Sequence, residues 1–349
     1  MLSVKIEVFT SINSNYIDKA ATLWDSLTAQ NFDLHINTFL IEPSFSVEET
    51  EVLRNSFENT TFPGKIHTLC DLSEDWELIL KNKSIVEACT VVKASATNYL
   101  LEQGADVVVY FDPDILLFAP IDELILEVSQ NHVSLTPHLL TPPDDDHGVI
   151  ANEIEGSMKY GIFNLGFFAF ANSPEAKEVL SWWNSRLTKY CEEKSEMAIF
   201  TDQKWFDLSQ AYFPQVIALR NPGYNVAPWN IASRKLKLSD GVYYSESVPL
   251  TFFHFSSFDT PALLTMLEHF DRSKISLKLL DLYTKLVSEK SPLKAEILSK
   301  HQSDNLKEFK SIDNHYDLIL WNKISIFAKR FLPTWLKRIL RYFLSKARP

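Results

Sequence analysis

The stretch "VKIEVFTSINSNYIDKAATLWDSLTAQNFDLHINTFLI", Val4 to Ile41, contains the strand–helix–strand pattern that decides the predicted fold. Its two ends, "VKIEVFT" and "LHINTFLI", are short runs rich in β-branched and aromatic residues, which is typical of strands. The segment between them has apolar residues at helical spacing, at Ile17, Ala20, Ala21, Trp24 and Leu27. A strand, a helix and a second strand in this order predict a parallel sheet covered by helices.

The alternation continues as far as Asp112. The runs "KIHTL" (Lys65–Leu69) and "DVVVYFD" (Asp106–Asp112) predict two more strands, and "SIVEACTVVKASATNYLLEQG" (Ser84–Gly104) predicts a helix that ends at Gly104. We therefore expect an α/β fold with a mostly parallel central sheet over residues 1–260. From about Pro261 the segments become helix-like, which predicts a helical extension over residues 261–349.

The composition excludes several classes of protein. The chain has 349 residues and a formal net charge of −11, so we expect no binding to nucleic acid. It shows neither a signal-peptide pattern nor an apolar run long enough to span a membrane. Its three cysteines, Cys70, Cys89 and Cys191, lack metal-type spacing, which indicates reduced thiols. These features predict a cytoplasmic protein and leave its oligomeric state open.

Two aspartates follow the fourth predicted strand, in "YFDPDILLFAP" (Tyr110–Pro120). In an extended segment, side chains two residues apart point the same way, so Asp112 and Asp114 can converge on one point. Two close carboxylates repel each other unless a cation or a shared proton relieves them. Mg²⁺ or Mn²⁺ does so, and such an ion leaves positions for phosphate oxygens. The alternative is a solvated strand exit at which the aspartates cap a turn.

The segment "VVYFDPDILLFAP" resembles the D-x-D segment of GT-A glycosyltransferases, and further stretches resemble glycosyltransferase family 8 in the family's order. The resemblance covers about Val4 to Asp259. The stretches are "FTSINSNYI" (Phe9–Ile17), "FNLGFFAF" (Phe163–Phe170), "TDQKWFD" (Thr201–Asp207), "YNVAPWN" (Tyr224–Asn230) and "FFHFSSFD" (Phe252–Asp259).

The resemblance implies a Rossmann-like GT-A fold, a nucleotide-sugar donor and a divalent ion, with Mn²⁺ favoured over Mg²⁺ because a histidine would join the ligands. The implied metal ligands are Asp112, Asp114 and His254, and Asp112 would also face the donor. Base and ribose would lie near Phe9, Thr10, Ser11 and Asn13. The donor sugar would contact Asn164 and Gly166, and the reacting carbon would lie near Asp202 and Gln203. Trp229, in a turn, would stack on sugar beside Asn230.

The sequence departs from the family's pattern at several positions. Ser11 and Asn13 stand where family 8 members often carry an acidic residue, at the positions implied to contact base and ribose. Ser257 replaces the glycine that approaches the diphosphate, and the lysine commonly found just beyond it is absent.

Several candidate site residues have more than one interpretation. Lys93 and Arg234 are candidates for binding the diphosphate, because a departing diphosphate needs a positive charge beside it. The alternative is that each forms an ordinary surface ion pair. His254 is either a metal ligand or a core histidine. Asp202 either holds the donor sugar or aids acceptor deprotonation, or it caps the helix that comes after it. His138 is expected to line the cleft.

The acidic run "PPDDDHG" (Pro142–Gly148) is interpreted as a solvated loop, with a lid over the cleft as the alternative. Trp182 and Trp183 lie in "SPEAKEVLSWWNSRLTKYC" (Ser173–Cys191), which predicts a helix with a serine N-cap and a proline at its first position, so both are expected to pack inside the protein.

The last segment, residues 323–349, is basic. Eight Lys or Arg lie between Lys323 and Arg348, and from Trp335 the apolar residues fall on one helical face. This pattern is typical of a helix that binds an anionic membrane surface, although packing against the protein itself is the alternative.

Three functions are compatible with the sequence. The favoured one is a metal-dependent hexosyltransferase that moves a sugar from a nucleotide-sugar, with UDP preferred, to a hydroxyl of a glycan or lipid-linked acceptor, with retention of configuration. It would act in the synthesis of a bacterial surface polysaccharide such as lipopolysaccharide, at the cytoplasmic face of the inner membrane. The alternatives are a haloacid dehalogenase-type phosphatase that uses Asp112 and Asp114, and a non-catalytic carbohydrate-binding protein.

Overall fold

The computed structural model describes residues 4–30, 34–72, 74–271 and 273–302. The chain divides into two compact units, Met1–Leu298 and Ser299–Pro349, and the first unit contains the central sheet. The predicted basic helix at residues 323–349 lies outside the described residues. Within the described ranges, no helix has the length and apolarity needed to cross a bilayer.

The strands and helices alternate over the first half of the chain. The strands are β1 (Ile6–Ile12), β2 (His35–Leu40), β3 (Lys65–His67), β4 (Val107–Phe111), β5 (Ile115–Leu117), β6 (Val133–Pro137), β7 (Phe163–Ala171), β8 (Glu193–Lys194), β9 (Ile199–Phe200), β10 (Val216–Ala218), β11 (Leu236–Ser239), β12 (Val242–Ser245), β13 (Val248–Pro249) and β14 (Phe252–His254). The helices are α1 (Ile17–Thr28), α2 (Val47–Asn55), α3 (Trp76–Leu80), α4 (Ile85–Val91), α5 (Lys93–Glu102), α6 (Asp122–Ser129), α7 (Asp146–Gly148), α8 (Pro174–Tyr190), α9 (Ser209–Tyr212), α10 (Ile231–Arg234), α11 (Pro261–Phe270) and α12 (Ile275–Gln302).

Seven of these strands form the central sheet, in the order β10-β6-β7-β4-β1-β2-β3. The pairs β1–β2, β1–β4, β2–β3 and β6–β10 are parallel, whereas β7 runs antiparallel to both of its neighbours. The sheet is therefore mostly parallel, which confirms the predicted fold class. The antiparallel strand β7 is a feature that the alternation of strands and helices did not predict.

Both faces of the sheet are covered, as a parallel sheet requires. Along β4, Val108 and Tyr110 belong to one apolar cluster, which contains Trp183 of α8. Val107, Val109 and Phe111 belong to a second cluster, which contains Trp24 of α1. The alternation results from the period of two in a strand, and it means that every side chain of β4 is buried. The expected packing of Trp183 in the interior is confirmed, and Trp182 packs against the same cluster.

The helices predicted at Ser84–Gly104 and Ser173–Cys191 form, and the first of them is divided in two. The run Ser84–Gly104 folds as α4 and then α5, and Ser84 begins it with a capping box that includes Glu87. Gly104 has a φ of +88°, the conformation expected of a glycine just after a helix. Ser173 caps α8 by accepting a hydrogen bond from the Ala176 amide at 3.1 Å, and Pro174 is the next residue.

The middle of the chain is more regular than predicted. The acidic run leads into α7 and a π-helical segment, Val149–Met158, instead of continuing as a loop. Asp144, Asp145 and Asp146 are exposed, in agreement with the solvated interpretation. A third apolar cluster lies beyond the central sheet, where Leu279 and Tyr283 of α12 pack with Phe253 and Phe255 beside β14.

Candidate metal centre

The two aspartates lie at the carboxyl edge of the sheet, the edge at which α/β folds bind ligands. Asp112 directly follows β4, and its amide donates to the carbonyl of Gly166 on β7 at 2.8 Å. Asp114 directly precedes β5, which pairs antiparallel with β14 so that Ile115 faces His254. This pairing brings a histidine from far along the chain to the side of the two carboxylates.

Asp112, Asp114 and His254 form a compact cluster in which the candidate ligand atoms all lie within 4.8 Å of one another. The Nε2 atom of His254 lies 3.1 Å from Oδ1 of Asp114 and 3.8 Å from Oδ2 of Asp112. The histidine is buried, whereas both aspartates are partly exposed, so the cluster can be reached from solvent. His254 was interpreted either as a metal ligand or as a core histidine. Its position beside the two carboxylates favours the first interpretation.

The charges in this cluster perturb one another. Burial acts to raise the pKa of Asp114, but the neighbouring His254 outweighs it and the pKa is lowered. Burial acts to lower the pKa of His254, but Asp114 and then Asp112 outweigh it and the pKa is raised. Each group thus favours the charged form of its partner, and a cation beside the two carboxylates is stabilised. Two carboxylates and an imidazole are oxygen and nitrogen donors, a set that fits Mn²⁺ or Mg²⁺.

Gly166 leaves free the space that the His254 imidazole occupies. A Cβ atom at this position would lie 2.5 Å from Cε1 and 2.7 Å from Nδ1 of His254, and 2.8 Å from Oδ1 of Asn164. A side chain on Gly166 would therefore displace the imidazole or the amide. The glycine of "FNLG", predicted to contact the donor sugar, has the clear structural task of admitting His254.

Lys93 lies beside the cluster and is fully enclosed. Its ammonium lies 3.4 Å from Oδ1 of Asp112 and 2.9 Å from Oδ2 of Asp202, and it donates to the carbonyl of Leu165 at 3.0 Å. Burial acts to lower the pKa of Lys93, but Asp112 and Asp202 raise it well above the usual value. The surface ion pair considered for Lys93 is therefore wrong, because the pair with Asp202 is buried.

Asp202 and Gln203 do not cap the short 3₁₀ helix Lys204–Asp207, whose N-cap makes no side-chain hydrogen bond. The Asp202 carboxylate is held by Lys93 and by the Thr201 hydroxyl at 3.1 Å. Burial raises the pKa of Asp202 despite the charge of Lys93. Gln203 donates to the Tyr160 carbonyl at 2.9 Å.

A buried amide network extends the site along β7. Asn164 accepts from Nδ2 of Asn225 at 2.9 Å and lies 3.4 Å from Nε2 of His138. Nδ2 of Asn230 donates to the His138 carbonyl at 3.2 Å. The Trp229 ring packs edge-on against both His138 and His254, each at 5.3 Å between centroids. The structure thus brings His138, Asn164, Trp229 and Asn230 close together.

The first loop is connected to the cluster through Tyr110. The Tyr110 hydroxyl donates to Oδ1 of Asp112 at 2.6 Å and lies 3.3 Å from Oγ of Ser11. Thr10 and Asn13 are buried on either side of Ser11. The Phe9 side chain packs in the core against Phe39, Tyr110 and Phe168, so a direct contact between this ring and a substrate is not supported.

Arg234 is buried, with a relative exposure of 2%, so the surface ion pair considered for it is also wrong. Within the described part of the chain, its Nε and one terminal nitrogen have no hydrogen-bond partner. Burial lowers the pKa of Arg234 to about 10. The structure does not bring its guanidinium into contact with the aspartates.

Two residues of the site were missed in the sequence. Tyr110 holds Asp112, and Asn225 bridges Asn164 to the Thr136 hydroxyl at 2.8 Å. Both lie inside the quoted stretches, and a polar group on an otherwise apolar strand or turn is the signal that marks them.

No family model matches the chain. Two curated proteins of Bacillus subtilis (strain 168), described as uncharacterized, are similar to it. YfnD is 25% identical over 256 residues, which are 71% of this chain and 76% of YfnD. YfnF is 25% identical over 189 residues, which are 52% of this chain and 61% of YfnF.

Two solved structures are also similar. The galactosyltransferase LgtC, in complex with donor and acceptor sugar analogues, is 15% identical over 81% of this chain and 95% of LgtC, with a TM-score of 0.48. The glycosyltransferase GlyE of Streptococcus pneumoniae TIGR4 is 15% identical over 83% of this chain and 64% of GlyE, with a TM-score of 0.44.

Proposed function

We propose that the chain is a metal-dependent glycosyltransferase of the GT-A type that uses a nucleotide-sugar donor. The observation that carries this proposal is the convergence of Asp112, Asp114 and His254 within 4.8 Å at the carboxyl edge of the sheet. A histidine delivered to a D-x-D pair by a separate strand makes a three-ligand site for a hard divalent ion, and a diphosphate is the ligand that completes such a site. The ordered stretches from Phe9 to Asp259 add support.

Asp112, Asp114 and His254 would hold the ion, with Mn²⁺ favoured and Mg²⁺ as the alternative. When bound, the ion supplies Lewis acidity to the diphosphate leaving group. Lys93 keeps the carboxylates of Asp112 and Asp202 in fixed positions, because its ammonium contacts both. Asp202 and Gln203 then face the donor sugar with Asn164, and Ser11 with Asn13 faces the nucleoside.

The proposal extends to the identity of donor and acceptor. UDP is the preferred nucleotide, a hexose is transferred with retention of configuration, and the acceptor is a hydroxyl of a glycan or lipid-linked glycan in bacterial surface-polysaccharide synthesis. The basic pattern of residues 323–349 supports attachment to an anionic membrane surface on the cytoplasmic side. Residues 1–260 would then form the catalytic domain and residues 261–349 its helical extension.

The alternatives are less well supported by the site. In a phosphatase of the haloacid dehalogenase type, the second aspartate acts as general acid, which calls for a raised pKa. The pKa of Asp114 is lowered by His254 instead. A non-catalytic carbohydrate-binding protein gives no reason for a buried Lys93 paired with two aspartates at the edge of the sheet.

The test is a panel of nucleotide-sugars, with and without MnCl₂, read by thermal shift and by hydrolysis of the donor. We expect one donor to raise the melting temperature only with the metal, and Asp114→Asn to abolish that response. Asp281→Asn, on the exposed side of α12, is the matched control and should behave like the wild type. If no nucleoside diphosphate or nucleotide-sugar gives a metal-dependent response, the proposal is wrong.

A further inference from the structure

A second buried lysine lies at the same edge of the sheet and has no role in the site described above. Lys19 is in the first turn of α1, the helix that follows β1. Its side chain is 6% exposed. An ammonium group is costly to bury without partners, so the groups that surround it are informative.

The groups that contact the Lys19 ammonium differ in their exposure to solvent. The ammonium lies over the Tyr16 ring, 3.8 Å from its centroid, and 5.7 Å from the centroid of Phe258. Tyr16 and Phe258 are partly buried, and each packs against an apolar cluster. The single carboxylate paired with Lys19 in the described structure is Asp259, whose side chain is 60% exposed. A carboxylate held from the solvent side can be exchanged for another anion at little cost, because an exposed ion pair contributes little.

Lys19 also lies close to the metal cluster. The amide of Phe255, directly after His254, donates to the Asp114 carbonyl at 2.8 Å, and the same chain segment continues to Phe258 and Asp259, which contact Lys19. Lys93 thus stands beside Asp112, while Lys19 provides a second positive charge near Asp114.

The chain segment that follows His254 supplies no lysine or arginine to the site. From Phe255 to Asp271, directly after His254, the sequence contains no Lys or Arg. This segment contributes the carboxylate of Asp259 instead, and Ser257 turns the backbone with a φ of +66° so that Phe258 and Asp259 reach Lys19. The buried cation that this segment contacts is Lys19 of the first helix.

We propose that Lys19 binds the diphosphate of the donor, with Asp259 as the counter-ion that a phosphate oxygen displaces. The inference rests on the proposed function, because it needs a diphosphate at the metal cluster. In the absence of donor, Asp259 neutralises the ammonium. With donor bound, the diphosphate lies between the metal cluster and Lys19, and Asp259 turns to solvent.

The test measures two affinities on the full chain by calorimetry. The first is for MnCl₂ alone, and the second is for the nucleoside diphosphate, among UDP, GDP, ADP and CDP, that binds the wild type in the presence of MnCl₂. Lys19→Met should weaken diphosphate binding about tenfold or more, the magnitude of a lost charge-assisted contact, without weakening Mn²⁺ binding. Lys19→Arg should restore most of the affinity.

The decisive variant is Asp259→Asn, because its effect has the opposite sign. Removing the competing carboxylate should tighten diphosphate binding about two- to fivefold. If the ion pair merely tethers the segment after His254, both variants should weaken binding alike. Lys290→Met, which breaks a comparable lysine–aspartate pair with Asp25 on the same helix, is the matched control and should leave both affinities unchanged.

The outcomes separate the two proposals. If the wild type binds a nucleoside diphosphate with Mn²⁺ and Lys19→Met binds it equally well, the role of Lys19 is wrong and the glycosyltransferase proposal stands. Weaker binding by Asp259→Asn also overturns the role of Lys19. If the wild type gives no metal-dependent response either to the four diphosphates or to the panel of nucleotide-sugars, both proposals are overturned.

Discussion

Because Gly166 has no side chain, the side chains of His254 and Asn164 can both pack against its backbone. The imidazole of His254 and the amide of Asn164 both occupy the space that a Cβ atom would need, at 2.5 Å and 2.8 Å. On the far side, the Trp229 ring packs against the same imidazole. The position of His254, the third of the proposed metal ligands, therefore depends both on the missing side chain of Gly166 on β7 and on the pairing of β14.

Gly166→Ala should uncouple the histidine from the aspartates. The added methyl group forces the imidazole to shift by a few tenths of an ångström or more, and misplacing one ligand of three should weaken Mn²⁺ affinity about tenfold or more. Isothermal titration with MnCl₂ measures this. Gly156→Ala, where a Cβ atom would meet its nearest neighbour at 3.4 Å, is the control. Equal affinity in the two variants would show that Gly166 does not position His254.

Among the helices, α8 contacts both β7 and the segment that carries Asp202. Trp183 on this helix stacks on Phe170 and meets Phe168 of β7 edge to face, and its indole nitrogen donates to the Asp202 carbonyl at 3.2 Å. The helix thus connects the strand that carries Asn164 and Gly166 to the segment that carries Asp202. Its start is set by Ser173, whose hydroxyl accepts from the Ala176 amide.

Ser173→Ala should lower the free energy of unfolding by about 1 kcal/mol, because the substitution leaves an amide of the first turn without its acceptor. Urea denaturation monitored by circular dichroism measures the change. Ser288→Ala serves as the control, since that hydroxyl donates to the Lys285 carbonyl inside α12 and caps nothing. A shift within about 0.5 kcal/mol is expected there. The cap assignment fails if the two variants are equally stable.

At the scale of the whole molecule, buried histidines make the fold sensitive to acid. Nε2 of His67 donates to Oδ1 of Asn37 at 2.8 Å, and the other ring nitrogen has no hydrogen-bond partner among the described residues. Burial lowers the pKa of His67 to about 4, and burial lowers that of His138 to about 4 as well. Both rings are therefore neutral in the folded protein at pH 7.

The unfolded chain binds protons at these histidines more tightly than the folded one. Their contribution to stability is thus complete above the ordinary pKa of 6.5 and is lost as the pH falls from there towards about 4. His67→Gln should flatten this decline by roughly 2–3 kcal/mol. Urea denaturation at several pH values tests it, with exposed His132→Gln as the control. An unchanged slope in His67→Gln would contradict the prediction.

Patterns local in sequence predicted much of this molecule. The spacing of Ile17, Ala20 and Trp24 predicted α1, and the two aspartates after an apolar strand predicted a charged cluster at the edge of the sheet. These features depend on the period of a helix or strand, which a single segment displays. The resemblance to family 8 then named His254 as the third ligand.

Features that depend on tertiary contacts were not predictable in this way. The sequence around Lys93 and Arg234 is compatible with exposed positions, and burial of both became evident when α5 and α10 were placed in the fold. The antiparallel direction of β7 and the approach of Lys19 to Asp259 depend on partners distant in sequence. Hydrophobic periodicity says which face of an element is buried but not which element covers it.

The pairing of β5 with β14 has a consequence for how the protein matures on the ribosome. All seven strands of the central sheet, together with Lys93, Asp112 and Asp202, have been synthesised once β10 ends at Ala218. His254 emerges later and reaches Asp114 through β14. A growing chain can therefore complete its central sheet while the proposed metal cluster still lacks His254, so the three side chains come together in a late step of folding.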